Sequence, residues 1–597
     1  MFYPRLTEPE QSRDMIQVWL GYNHNLRCSD GEFYDMKNLT SSYFPLMGNR
    51  DRRGFVRQLE NPQGMIAKDS LAYVDDGKLY YNDKQIDGVV LTSGEKQLYS
   101  MGAYLLIWPD KFYINTADLT DKGYIENAVY RDAPDVGTQI SYSICKQDGE
   151  DYGATVIGVT APANPENGTL WIDTSGDIHT LKQWNAQTAM WIEIATVYVK
   201  IAAPGIGKGF QKFDGVQISG CAYTGDAAKL AEQIVALNGS HIIYACGDDY
   251  IVIVGLLDQA YAQTTTATGW VTVTRLVPDM DYITEAENRL WGCKYGVVDG
   301  KTVNEIYCCA LGDFRNWEQY LGVSTDSWRG SVGSDGVWTG AVTHLGYPVF
   351  FKENCLHKVY ISSQGAHQIT DTQCRGVQRG SAKSLCVVNE TLYYKSRVDV
   401  CAYDGSLPVS VSDAFGNETF YDAVAGTFSN KYYISMRNNA GTYTLFVYDT
   451  LRGVWHKEDG VKAICFARRG DELYYIDGNT KKLMAENGTD GTLEDAVEWT
   501  ATTGVIGYEY VDHKYISRFN LRMRLPRGSF ADLYIQYDSD SIWHHVGHMD
   551  GVGTKTFLLP VRPRRCDHLQ LRMDGVGDIR VYSISKILEV GSDAEWG

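Results

Sequence analysis

Apolar and polar positions alternate along most of this chain in short runs, and the runs are separated by Gly, Asp or Asn. Alternation of this kind sends successive side chains to opposite faces of a strand, and the separators are hairpin-turn residues. The runs gather into a loosely repeated unit of about 35–45 residues, the period of propeller blades. One copy joins 64–69, Ser70–Gly77 and Lys78–Asn82, and a second joins Gln97–Gly102, Tyr104–Pro109 and Lys111–Asn115. After a gap the pattern resumes with Tyr282–Thr284, Arg289–Cys293 and Asn304–Trp317, then Thr339–Thr343, Pro348–Phe351 and His357–Tyr360. Further copies hold Thr391–Tyr394, Lys431–Ser435 with Thr444–Asp449, and Glu472–Asp477. The count is about seven units. A chain of β-sandwiches is the competing arrangement, but the units are too short to close sandwiches on their own.

The gap, residues 125–274, reads as an insertion. Its first part is a β-unit (Gly168–Asp173, Leu181–Trp184, Met190–Ile194), and its second part is α+β. Leu230, Ile234 and Leu237 form one apolar stripe at helical spacing, with Asp226 as the expected N-cap and Asn238-Gly239 as the stop. Strands are expected before it at Val216–Ser219 and after it at His241–Tyr244 and Tyr250–Val254. From about residue 491 the alternation becomes regular, in Asn520–Leu525, Asp532–Tyr537 and Leu569–Met573, as in a β-sandwich. The expected fold is mainly β: a β-propeller with an inserted small β and α+β module and a C-terminal β-sandwich. The expected division is an N-terminal arm at 1–53, propeller at 54–124, the insertion at 125–274, propeller again at 275–490 and the sandwich at 491–597.

Composition sharpens this picture. The 41 Tyr outnumber the 18 Phe and 14 Trp, and Tyr suits half-wet strand positions. The formal charge of −19 argues against a protein that wraps nucleic acid, because such binding needs Lys and Arg against phosphates. Thirteen Cys without a C-x-x-C pair read as buried thiols of a reducing compartment. The Asn167 sequon then reads as a chance match. No signal peptide is expected from the Met1–Arg5 opening, and no membrane anchor is expected either, since no apolar run approaches ~20 residues.

Motifs with possible chemistry are few. Gly247-Asp248-Asp249 resembles a polymerase metal hairpin but lacks the second carboxylate motif, and it is also ordinary hairpin-turn sequence. Gly205-Ile-Gly-Lys208-Gly209 fails as a phosphate loop, because Gly209 stands where Ser or Thr is required and Ala202 where the leading Gly belongs. On a regular strand His544 and His548 lie ~13 Å apart, too far to share a metal. Ser334–Trp338 has the wrong spacing for the Asp-containing turn of glycan-cleaving propellers, and no Gly-x-Ser-x-Gly elbow is present. Asp75 and Asp76 fall in a turn. No catalytic residue, metal ligand or cofactor is therefore expected. Two basic clusters, Arg50 with Arg52 and Arg53, and Arg562 with Arg564 and Arg565, are the candidate partner contacts, since Arg offers a bidentate fork to carboxylates.

Several segments resemble a phage virion family. Leu20-Gly-Tyr-Asn23, Asp30–Asp35, Lys37–Thr40 and Tyr43-Phe-Pro45, followed by the first Arg cluster, are similar to the arm of phage tail proteins. So are Glu287–Gly292 and Ala310–Trp317, while Tyr537–Ser539, Trp543, Pro563–His568 and Gly575–Asp578 resemble tail-associated sandwiches. The family is that of nozzle, or packaged-DNA stabilisation, proteins of short-tailed bacteriophages. The 125–274 insertion departs from it and looks more like modules that decorate phage fibres. The resemblance implies a homo-oligomeric ring, expected to be hexameric, in the virion tail. It would lie beneath a portal-side adaptor, contact tail fibres or a needle, and be made in the host bacterial cytoplasm. It would retain packaged DNA and pass it at infection without specific binding. The competing reading is a receptor-binding or fibre-attachment protein that recognises host surface glycans, and a third is a glycan-cleaving propeller.

Overall fold

The computed structural model describes residues 10–131, 139–263, 271–298, 300–361, 366–551 and 553–590, so Met1–Arg5 lies outside the described residues. The fold is mainly β, with one α-helix among the described residues. Six four-stranded antiparallel meanders of the propeller-blade type cover 62–85, 97–124, 282–331, 340–373, 386–410 and 420–457, and a five-stranded sheet is built on 463–485, hereafter blades 1 to 7. In blade 7 the meander supplies three strands, and Gly54–Gln58, from far up the chain, pairs against Lys482–Ala485 as the fourth. Sequence explains the strand interiors. Ser70–Asp75 in blade 1 is buried along its whole length, as is nearly all of Glu472–Asp477 in blade 7. A strand covered on both faces needs apolar or hydrogen-bonded residues at every position. Hairpins such as Glu287-Asn288 and Asn389-Glu390 place two successive residues at positive φ, the backbone of a type I′ turn.

Contacts divide the chain into two compact units. The first takes the described residues of Met1–Leu98, Gly336–Lys358 and Thr370–Gly597. Within it, neighbouring blades share cores. Blades 7 and 1 meet through Tyr474, Ile476, Met65 and Tyr73, blades 6 and 7 through Tyr433, Leu445, Leu473 and Tyr475, and blades 4 and 5 through Phe351, Leu356, Leu392 and Tyr394.

The same unit holds the terminal sandwich of two six-stranded sheets. Lys514–Leu525, Phe530–Tyr537 and Leu569–Val576 alternate buried and open positions in the register that the sequence pattern predicts. Chain segments from before residue 50 are part of it. Glu10–Ile16, Leu39–Thr40 and Met47–Asn49 join one sheet, and Gly21–Tyr22 and Glu32–Lys37 join the other. Glu10–Ile16 runs antiparallel to Arg580–Val590, with Ser12 opposite Leu588. The segment expected as an arm is thus woven into the sandwich formed by the other end of the chain. Its core is continuous with blades 5 and 6 through Phe415, Phe446 and Trp455.

The second unit takes the described residues of Tyr99–Asp335 and Val359–Ile369. Blades 2 and 3 share Leu106, Trp108, Ile283, Leu290 and Trp317. Between them in sequence, the insertion builds two sheets around one core that includes the helix Ala228–Val235. Leu230, Ile234 and Leu237 are buried, as the stripe predicts, but the N-cap is Ala227 and not Asp226, and it makes no side-chain capping bond. A third, smaller sheet carries Leu170–Asp173, Thr180–Asn185 and Met190–Glu193. The insertion is tied down by polar groups. The Asn316 amide donates to Phe213 O at 2.6 Å and its oxygen accepts from Gly215 N at 3.2 Å. Arg275 meets Asp214 at 2.6 Å with both side chains buried.

Candidate functional site

Two of the three arginines of the first cluster do not face outward. Arg50 and Arg53 are buried at 5% and 3% exposure, where the turn after blade 6, the end of blade 7 and the start of the sandwich converge. The Arg53 guanidinium donates to Glu486 at 2.7 Å, Asp459 at 2.7 Å and Glu458 at 2.5 Å. Arg50 contacts Glu494 and Asp459, and Glu458 at 3.8 Å. The carboxylates that use these forks stand more than 400 positions away in sequence. Both guanidiniums are therefore committed inside the molecule, which corrects the expectation that they greet a partner. Arg52 is exposed and donates to the Glu494 carbonyl at 2.6 Å. Arg562, Arg564 and Arg565 are exposed, and Arg564 lies over the Tyr537 ring at 4.9 Å.

This joint holds four carboxylates against two guanidiniums. Burial raises the Glu486 carboxyl well above its ordinary 4.5, and the like charge of Glu458 adds to the effect despite the Arg53 contact. A folded-state pKa that is raised means the folded protein keeps a proton the unfolded chain has released. Stability is then lost as pH climbs from the unfolded value through the folded one. Glu486→Gln removes that loss. The stability advantage of the variant over the parent is expected to grow between about pH 5 and pH 8, read as denaturation midpoints at both ends. An advantage that shrinks with rising pH would contradict this assignment.

Above the joint lies an open groove of about 610 Å³. Its floor is the outward face of one sandwich sheet, set by strand register: Asp35 pairs with Thr502, Thr502 with Arg572, and Gln570 with Gln536. Its opposite wall is Thr442–Thr444 of blade 6 with the following turn, Lys457–Gly460. Each cation on the lining has a carboxylate partner. Lys457 meets Asp35 at 2.7 Å, Arg572 meets Asp574 at 2.7 Å, and Lys37 meets Glu498 at 3.5 Å. Half-buried Tyr34, Tyr443 and Trp543 supply aromatic surface, and the Arg572 guanidinium lies 5.8 Å from the Trp543 ring centre.

The same sheet face continues to a histidine pair that a regular strand would not allow. Register slips between Leu533 and Tyr534, so that Gly547 and then His545 are their partners. This bulge brings His545 and His548 together on Asp532, at 2.9 and 2.8 Å, and His548 also reaches Asp550 at 2.7 Å. Hydrogen bonds to Asp532 and Asp550 raise the His548 pKa above its ordinary 6.5. Among the described residues no group of three or more His, Cys, Asp or Glu side chains is arranged to hold a metal ion.

The remaining motifs have structural partners. Gly247-Asp248-Asp249 turns one hairpin, and the 205–209 loop docks on it: Gly207 N donates to Asp248 O at 3.0 Å and Gly205 N to the Asp249 carboxylate at 2.7 Å. A Cβ on Gly207 would stand 2.1 Å from Gly247 O, so the glycine serves this close approach. In blade 4 a Cys355–His357–Asp371 order was not visible in sequence, with contacts of 3.6 and 2.5 Å. Cys355 and His357 are shut off from solvent at 4% and 0% exposure, and burial lowers the His357 pKa. All thirteen cysteines are free thiols and none is exposed.

No family model matches the chain, and no curated protein matches it. Among solved structures it is similar to the exo-β-1,3-galactanase of Phanerochaete chrysosporium, at 9% identity and TM-score 0.20, over 50% of this chain and 95% of that one. A second is the extracellular domain of a putative hybrid two-component system from B. thetaiotaomicron, at 10% identity and TM-score 0.23, over 93% and 98%. A third is apo AztD from Citrobacter koseri, at 10% identity and TM-score 0.24, over 74% and 96%. Likenesses at this level carry no argument about function.

Proposed function

We propose that this chain is a structural, non-enzymatic virion protein of a short-tailed bacteriophage, a subunit of the tail nozzle ring that retains packaged DNA and conducts it at ejection. The observation that carries the reading is the double closure of the first unit. Gly54–Gln58 completes blade 7, and the segments before residue 50 interlock with 514–590 in one sandwich. A subunit that resists the pressure of packaged DNA needs ends that cannot be peeled away singly. The segments that resemble tail proteins also perform the fastening. Tyr22 packs on Phe415 and Phe446, Arg50 and Arg53 form the buried joint, and Asn316 holds the insertion.

The net charge of −19 gives the conduit its chemistry. Acidic walls repel phosphates, so a duplex slides instead of binding, with a reach of ~8 Å at cellular salt. In this reading the partners are identical copies in a ring of about six, a portal-side adaptor and fibres or a needle. Exposed Arg562, Arg564 and Arg565 are contact candidates, and no cofactor is required. Thirteen free thiols fit assembly in a bacterial cytoplasm before incorporation in the tail. Light scattering after size-exclusion chromatography, followed by negative-stain imaging, tests the proposal. A ring with an axial hole is expected, and a stable trimer would contradict it.

A further inference from the structure

We infer that the groove between blade 6 and the outer sandwich face binds a neutral oligosaccharide. This goes beyond the conduit reading and does not rest on it. The argument begins with charge. Asp35, Lys37, Lys457 and Arg572 all line the groove, yet each is paired within the protein, and Glu458 and Asp459 face the buried Arg53. A phosphate or a sulfated chain would meet carboxylates on the same wall, and a cation would meet guanidinium and ammonium groups. The lining has no surplus of either sign to offer a charged ligand.

The neutral groups are the ones left open. The hydroxyls of Thr444, Thr500 and Thr502, the Gln536 amide and the Trp543 indole N–H make no hydrogen bond to another described residue. Hydroxyls and amides both donate and accept, which is the complement of a sugar's ring of hydroxyls. Tyr34, Tyr443 and Trp543 add flat apolar surface with polar edges, on which the C–H faces of a pyranose can lie. The volume, about 610 Å³, is within the range of ligand sites. Four sandwich strands and one blade fix the lining, so the site is held by rigid elements.

The test uses the full-length protein on an array of neutral glucan, galactan and mannan oligosaccharides, beside sialylated and sulfated ones. Hits are followed by titration calorimetry with Trp543→Ala and with Gln536→Ala, each first checked for an unchanged melting profile. The expected result is binding to at least one neutral oligosaccharide, with little response to added salt, weakened roughly tenfold or more by either substitution. Trp543→Ala removes the stacking surface and Gln536→Ala only a surface amide, so the second variant keeps the test valid if the first misfolds. Three results would overturn the inference: no binding to any neutral oligosaccharide, binding to the charged glycans alone, or binding that survives both substitutions undiminished.

Discussion

Arg53→Ala is expected to lower stability by about 3–5 kcal/mol, the usual consequence of removing one partner from a buried ion pair. The guanidinium contacts Glu458, Asp459 and Glu486 together, and its own exposure is 3%. Alanine leaves those carboxylates facing each other at a joint where the blades meet the sandwich. Arg53→Lys is expected to rescue little, because one ammonium cannot span three carboxylates as a planar fork does. Arg53→Met combined with Glu486→Gln should recover part of the loss, since the double change removes the cation together with one of the titratable carboxyls it faces. Apparent melting temperatures at one fixed scan rate provide the comparison. A shift for Arg53→Ala no larger than that of an exposed substitution such as Arg562→Ala would refute the buried-joint account.

The second large effect is expected at Gly21, whose φ is +82° and where an added Cβ would stand 2.2 Å from the Trp455 carbonyl oxygen. Gly21→Ala meets both a left-handed backbone and a backbone collision, so neither rotamer change nor side-chain motion relieves it. The expected loss is about 3 kcal/mol. It should be local, because Tyr22 is drawn off Phe415 and Phe446 and the segment before residue 50 lifts from the sandwich. Limited proteolysis should therefore cut the variant first within that segment, at protease levels that leave the parent intact. An unchanged cleavage pattern would show that this segment is not held through Gly21.

What the sequence made legible follows from interaction range. Alternation in Asn520–Leu525 and Leu569–Met573 named the buried faces correctly, because period-two patterning is a property of single strands. The meanders were equally readable, since each closes through tight turns such as Glu287-Asn288. Pairing across the chain was not. Glu10–Ile16 is too short and too polar to announce a partner at Arg580–Val590, and Arg50 and Arg53 read as surface residues until Glu458 and Glu486 are placed beside them. The meeting of His545 and His548 on Asp532 depends on one bulge, at which Gly547 is the residue type that hints at the irregularity. The groove was invisible for a related reason: Thr, Gln and Trp side chains from separate strands form no motif until register aligns them. The Asp226 cap failed more simply, because the helix begins two residues later, at Ala228.

The conduit reading is tested most directly by a side-chain-resolution reconstruction of the assembled protein, by electron cryomicroscopy of purified particles or tails. The account predicts a closed ring of about six copies around a channel wide enough for a duplex, its wall carrying more Asp and Glu than Lys and Arg. An assembly without a central channel, or one whose channel is lined by basic side chains, would contradict it.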